Sequence, residues 1–250
     1  MERTATLVVM DRGVTSTALP EGVAEYLRNL IHRGGLAPGD RLPPERELAQ
    51  QLGVARLSLR AAIKILQDGG YIEVRRGQKG GAFVTELSKP FAEWRAKMQE
   101  HVQEIDDITE FRIALESHAA SLAADRRTRA DLTALRGAVA DIAKSDGRGA
   151  FRSADSRFHD RNAHAARNAR LESSIHAVRG ELFSPHDLLD YAEPIQESRH
   201  DHQAIYDAIR DRRADRAAEL MREHILRTRE QLRVIVFGAS GAGPRQTGGQ

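Results

Sequence analysis

Pro43-Pro44-Glu45-Arg46-Glu47-Leu48-Ala49-Gln50-Gln51-Leu52-Gly53-Val54-Ala55-Arg56-Leu57-Ser58-Leu59-Arg60-Ala61-Ala62-Ile63 is the stretch on which the fold turns. Two prolines followed by Glu45 suit a helix opening, because proline is tolerated in the first turn and a carboxylate favours the positive end of the helix dipole. That helix runs to about Leu52, where Gly53 stops it. A second begins near Ala55 and continues to Asp68, where Gly69-Gly70 ends it. Two short helices about a single glycine are the sequence form of a helix-turn-helix. Ala49 is small where the helices approach closely, Gly53 can take the left-handed turn conformation, and Leu59, Ile63 and Leu66 supply a core face.

Outward from this unit, Val23, Leu27, Leu30 and Ile31 recur at helical spacing before Gly34-Gly35, predicting a preceding helix. Downstream, Tyr71–Val74 and Ala82–Thr85 read as strands around a Gly-rich basic loop, Arg75 to Gly81, which is a hairpin signal. Helix, helix-turn-helix and hairpin in that order predict a winged helix over residues 20–86. Between Val54 and Gly81 stand six basic residues (Arg56, Arg60, Lys64, Arg75, Arg76, Lys79) and two acidic ones (Asp68, Glu73), although the whole chain carries only +2. The charge is therefore concentrated on the unit suited to DNA. The early exposed side of the second helix presents Arg56, Ser58 and Arg60 to a major groove, and Arg46 is placed to grip the backbone. In the hairpin loop, Arg76, Gly77 and Lys79 combine cations with close backbone approach, suited to phosphate or minor-groove contact.

Residues 1–19 lack periodicity and read as a flexible leader with no secretory signal. Residues 87–103, with Pro90, read as a linker or linking helix, and the Gly/Ser/Pro/Gln-rich 238–250 as a disordered tail. From 104 to 237 the pattern is helical, with breaks near Arg127-Thr128, Asp146–Gly149, Asn168 and Pro185–Pro194. About six helices follow, an all-α bundle by count and spacing. The absence of cysteine excludes disulfides and thiolate metal sites and fits a reducing cytoplasm. No apolar run approaches the ~18 residues of a membrane span, so no membrane association is expected.

Histidines carry the chemistry of this second half. Asp155 and His159 stand one helical turn apart on a face shared with Phe151, Phe158 and Asn162, hence turned inward. A buried carboxylate and imidazole at that spacing are half of a common metal site. His224 lies on the apolar face of the last helix, while His200 and His202 both fall at the edges of an apolar stripe, and periodicity does not choose between them. Arg112 and Glu116 are also one turn apart and can pair with each other. His101, His118, His164, His176 and His186 receive no role.

At this point the sequence resembles a known family. Leu36–Ala49, Leu52–Arg56, Leu59–Ile63 and the wing ending Gly81-Ala82-Phe83-Val84 are similar to the signature of GntR-type winged-helix regulators. By that resemblance Arg46, Arg56, Ser58, Arg60 and the wing around Arg76 and Gly77 contact DNA. One departure is Ala55, where the family usually has Ser or Thr, which removes a helix cap or phosphate contact. The second half resembles the all-helical ligand-binding (FCD) domain of the FadR-like branch, through Ile105–Arg112 with Leu115-Glu116, Asp155–His159, Arg167-Asn168, His202–Ile205 and Met221–His224. The resemblance selects His202 over His200 and implies a site of Asp155, His159, His202 and His224 holding Zn²⁺ or a similar divalent ion, with an organic acid completing the coordination. It also turns Arg112 toward the pocket as a carboxylate ligand.

The expectation is a mainly α chain with an N-terminal winged helix-turn-helix and an all-α bundle, acting as a cytoplasmic, ligand-responsive transcription regulator and not an enzyme. It would bind palindromic double-stranded operator DNA as a homodimer, as a repressor released by a small carboxylate. Two rivals come from other classes: a metal-dependent hydrolase with an appended DNA-binding unit, and an architectural DNA binder with a structural metal. The first is opposed by the lack of an obvious general base beside the ligands, and the second predicts DNA affinity without sequence preference.

Overall fold

The computed structural model describes residues 19–77, 80–182 and 193–238; the leader, most of the tail, Lys79 and His186 lie outside the described residues. The first helix, α1 (Pro20–His32), buries Val23, Leu27, Leu30 and Ile31 at helical spacing. Helix α2 (Glu45–Leu52) buries Leu48, Ala49 and Leu52, and ends at Gly53, whose φ of 67° is the left-handed conformation that a side chain disfavours. Helix α3 (Arg56–Asp68) turns Leu59, Ala62, Ile63 and Leu66 inward against α1 and α2. Strands β1 (Ile72–Arg75) and β2 (Gly81–Val84) pair antiparallel, with Ile72 opposite Val84 and Arg75 opposite Gly81, and Arg41 adds an isolated bridge to Phe83. Both strands are offset by one residue from the hydropathy pattern; β1 starts at Ile72 because the Tyr71 N–H closes the preceding turn on the Leu66 carbonyl, leaving only the Tyr71 carbonyl to accept from the Thr85 N–H.

The segment expected as a linker or linking helix is helical: α4 (Ser88–Glu100) buries Pro90, Trp94 and Met98. Pro90 sits in its first turn, where the missing N–H has no intrahelical role. The remaining helices are α5 (Glu104–Arg112), α6 (His118–Arg126), α7 (Arg129–Lys144), α8 (Arg148–Ala165), α9 (Ala169–Arg179), α10 (Glu193–Arg210) and α11 (Ala214–Phe237). A π-helical turn, Ile113–Ser117, joins α5 to α6 without breaking the rod. Thr128 and Asp131 form a reciprocal capping box that starts α7, and the Asn168 side chain accepts from the Leu171 N–H to start α9. The turn between α10 and α11 was not among the expected breaks. It contains no glycine or proline, and Arg212 itself takes a positive φ of 58°.

Among the described residues, besides a small apolar core around Ala119, Ala163, Ala166 and Ile175, two large ones organise the chain. One joins the winged helix to Trp94, Met98, Ile105, Val178, Leu232 and Val236, so the N-terminal unit packs onto the bundle rather than dangling from it. The other fills the bundle with Leu135, Phe151, Phe158, Ile205, Met221 and Ile225. Polar contacts lock the junction. The Arg152 guanidinium of α8 donates to the carbonyls of Ile31 and His32, the latter at 2.7 Å. Arg33 pairs with Asp160 at 2.7 Å, and His32 Nδ1 donates to the Gly180 carbonyl at 2.8 Å. Gly34, at φ 84°, is required here because a Cβ would stand 2.6 Å from Arg152 Cγ. Among the described residues no helix is long and apolar enough to cross a membrane.

Candidate DNA-binding surface and metal centre

Helix α3 presents Arg56, Leu57 and Arg60 to solvent, with Ser58 half-buried at the edge of that face and Arg46 exposed on α2. Ala55 occupies the N-cap in an extended conformation with no side-chain cap bond, so the first N–H groups of α3 and the positive end of its dipole are left for an outside acceptor. Arg60 Nε donates to Glu45 Oε2 at 2.8 Å, which holds a long side chain over the helix face before any DNA arrives. Arg76 and Gly77 are exposed at the wing, and Gly77 takes φ 106° as the chain turns. Sequence reasoning missed Arg41. Its guanidinium donates to the Gly80 carbonyl at 2.5 Å and ties the wing to the segment before α2. Arg75 is bonded to Glu73 and lies over the Phe83 ring at 4.2 Å, so it braces the hairpin.

The second site is built in the bundle from three helices. Asp155 and His159 come from α8, His202 from α10 and His224 from α11, and one donor atom from each lies within 4.8 Å of the others. His200, the alternative that periodicity left open, is exposed. His202 Nε2 stands 3.1 Å and His159 Nε2 3.8 Å from Asp155 Oδ1. Each Nδ1 is directed elsewhere: that of His159 donates to Glu116 Oε2 at 2.7 Å, that of His202 to the Ser198 carbonyl at 2.6 Å, and that of His224 to Asp201 Oδ2 at 3.2 Å. Fixing the proton on Nδ1 leaves the Nε2 lone pairs as the available donors, which is how outer partners orient metal-binding imidazoles. His202 Nε2 is fully buried and, with the ring proton on Nδ1, faces Asp155 Oδ1 lone pair to lone pair, an arrangement that costs free energy unless a cation sits between them. The edge of Phe158 packs on the His202 ring at 4.7 Å and limits its rotation.

The electrostatics suit a cation. Burial, with the Arg179 charge adding to it, pushes the His159 pKa down to about 3, so the imidazole is neutral and nucleophilic toward a metal at physiological pH. Burial also lowers His224. For Asp155, burial acts to raise the pKa, but His159, His202 and Arg179 together hold it well below the ordinary carboxylate range. Burial opposes ionisation of Glu116 too, yet Arg112, Arg179 and His159 keep it ionised.

Three outer residues carried no clear sequence signal. Arg179 of α9 reaches Asp155 Oδ2 at 3.2 Å and Glu116 Oε2 at 3.4 Å, and Asp201 is gripped by Arg227 at 2.6 Å. Glu116 lies in the π-helical turn, where the altered spacing sets its carboxylate against both Arg112 and His159. Arg112 is buried with its Nε on Glu116 Oε1 at 2.8 Å, so the structure makes the intrahelical pair that its spacing allowed. A carboxylate does therefore sit beside the candidate ligands, contrary to the sequence expectation. It is bonded to one imidazole and two guanidiniums, which leaves it a poor general base.

A winged helix with a basic, uncapped α3, packed on a helical bundle that encloses four convergent candidate metal donors, has the form of a DNA-binding regulator with a ligand-binding domain. Comparison with known proteins places it more narrowly. The model of bacterial regulatory proteins of the gntR family matches residues 19–84, and that of the FCD domain matches residues 107–227. The chain is 29% identical to the putative HTH-type transcriptional regulator RmpR of Mycobacterium gastri, over 83% of this chain and 77% of that protein. It is 31% identical to the putative L-lactate dehydrogenase operon regulatory protein of Escherichia coli (strain K12), over 83% of each. The solved structure of E. coli McbR/YncC shares the fold, with a TM-score of 0.50 at 21% identity, covering 88% of this chain and 98% of that one. The chain belongs to the GntR family of transcription regulators and carries an FCD domain.

Proposed function

We propose that this regulator is a repressor that binds a palindromic operator as a homodimer and leaves it when a small carboxylate reaches a divalent metal, Zn²⁺, held by Asp155, His159, His202 and His224. Residues 20–86 form the DNA-binding domain, 87–103 the connection and 104–237 the sensor, in a chain that works in the cytoplasm. Arg46, Arg56, Ser58, Arg60, Arg76, Gly77 and Lys79 are the DNA contacts. The observation that carries the sensing half is the convergence of the His159 and His202 Nε2 atoms on one Asp155 oxygen, with a His224 donor within 4.8 Å of them, while every Nδ1 is bonded outward.

Charge counting supports a carboxylate effector. Around the four donors, Asp155, Glu116 and Asp201 face Arg112, Arg179 and Arg227, three carboxylates against three guanidiniums. A divalent ion added to that balanced ring would carry an uncompensated positive charge, which a carboxylate would neutralise by joining the four protein donors as a further ligand. Arg112 contributes to that field and, if its pairing with Glu116 yields, to binding the carboxylate itself. The relative connected by name with an L-lactate dehydrogenase operon makes hydroxy acids the first compounds to test.

Coupling follows from α8. Asp155 and His159 lie between Arg152 and Asp160, the two α8 residues that hold α1 through Ile31, His32 and Arg33. A ligand that draws α8 toward α10 and α11 moves the docking point of the winged helix, and with it the spacing of two recognition helices in a dimer. A coupling of about 1–3 kcal/mol shifts operator affinity about 5–150-fold.

The test is metal analysis of the dialysed protein beside an Asp155→Ala, His159→Ala double variant, followed by operator gel shifts with small carboxylates. About one divalent ion per chain, absent in the variant, with DNA release by a carboxylate only in the wild type, is the expected result. A protein that takes up no metal even in added zinc overturns the sensing mechanism and leaves the DNA-binding assignment standing.

A further inference from the structure

Leu57 is 80% exposed, the most exposed of the large apolar side chains among the described residues. It has no packing role to explain it. The inward stripe of α3 is complete with Leu59, Ala62, Ile63 and Leu66, all buried. On an ideal helix of 3.6 residues per turn, Leu57 projects about 170° from the centre of that stripe. The outward face carries exposed Arg60 and Lys64 beside Leu57, with exposed Arg56 at its edge, so the leucine stands out among long polar side chains. It also lies in the first turn of α3, beside the uncapped N-terminus, the part of a recognition helix that enters deepest into a major groove.

Given that α3 is the recognition helix, we propose that Leu57 is a specificity-determining residue that reads the 5-methyl group of a thymine in each operator half-site. The chemistry leaves little choice. A leucine has no donor or acceptor, and pressing it against an amino or carbonyl edge desolvates that edge without compensation. The thymine methyl is the one apolar group that the four base pairs of unmodified DNA display in the major groove. Arg56 and Arg60, both exposed beside it, supply phosphate or guanine contacts without competing for the methyl.

The experiment selects binding sites with the full-length protein from a randomised duplex library copied either with thymidine or with deoxyuridine, which lacks only the methyl. Each thymine of the recovered site is then replaced singly by deoxyuridine and assayed by gel shift with wild type and with Leu57→Ala. Burial of one methyl predicts about a fourfold loss of wild-type affinity at one thymine per half-site. Leu57→Ala loses affinity for the thymine site and is indifferent to the deoxyuridine replacement there. Leu57→Gln recovers a different base at that position. Both variants melt with the wild type because the side chain is exposed. If no single thymine methyl matters to the wild type, or Leu57→Ala remains equally sensitive to its removal, Leu57 is not the reader and the operator assignment stands. If the wild type enriches no sequence from either library, the operator reading falls and this proposal with it.

Discussion

Lowering the pH from 7 to 5 should weaken the junction between the winged helix and the bundle through one imidazole. His32, at the C-terminal end of α1, is 6% exposed. Its Nδ1 faces the Gly180 carbonyl, which can only accept, so Nδ1 carries the proton and Nε2 accepts from the Tyr71 hydroxyl at 3.0 Å. Burial is the largest influence on its pKa. The hydrogen bond to Gly180 opposes it, the charges of Arg152 and Arg28 reinforce it, and the result falls from 6.5 to about 4. The sign follows from proton counts. Between those two values the unfolded chain holds the proton and the folded chain does not, so stability is fully present above pH 6.5 and is lost as the pH falls toward 4. The gap corresponds to about 3 kcal/mol, of which about 2 kcal/mol is lost by pH 5. That is a large share of the ~5–15 kcal/mol by which a domain is stable.

Urea unfolding measured at pH 7, 6 and 5 tests this. Trp94 is the one tryptophan and its indole donates to the Glu181 carbonyl beside the same junction, so its fluorescence reports on the right place. Other acid-titrating groups affect wild type and His32→Gln alike, and their difference isolates His32. The variant should lose about 2 kcal/mol less than the wild type between pH 7 and pH 5. Parallel pH profiles would refute the argument that His32 is held neutral by its burial.

Other outcomes follow from the same geometry. Glu116→Gln removes the anionic acceptor of His159 Nδ1; zinc affinity measured against a competing chelator should fall about 10–100-fold, and an unchanged affinity would mean that the ring needs no orientation from outside. Arg152→Met leaves the Ile31 and His32 carbonyls without their buried donor. A loss of about 1–3 kcal/mol is expected in thermal or urea melts, together with weaker effector response in gel shifts, and a variant that melts and responds like the wild type would show that this guanidinium does not hold the junction. Arg56→Ala should cost about 1–3 kcal/mol on the preferred operator and less on unrelated DNA if it reads a base; a uniform loss over all sequences assigns it to phosphate.

The N-terminal unit was legible because its information is local. Gly53 ends α2 through its own backbone freedom, the buried stripe of α3 repeats at helical period, and a Gly-rich basic loop between β-branched residues makes a hairpin. Half of the metal centre is local in the same sense, since Asp155 and His159 share one helix face. The rest joins distant parts of the chain. Choosing His202 over His200 requires knowing which side of α10 meets α8, and hydropathy at the edge of a stripe does not encode that. Arg179 and Glu116 lie 63 residues apart and meet only because α9 packs against the π-helical turn. Arg112 had two readings at one spacing, and packing decided for Glu116. The dock of α1 on α8 and α9 likewise depends on His32, Arg33 and Gly34 meeting partners more than a hundred residues away in the chain. Periodicity and turn chemistry, being short-range, determined the elements and their inward faces; which buried polar groups would satisfy one another was settled only when those faces closed.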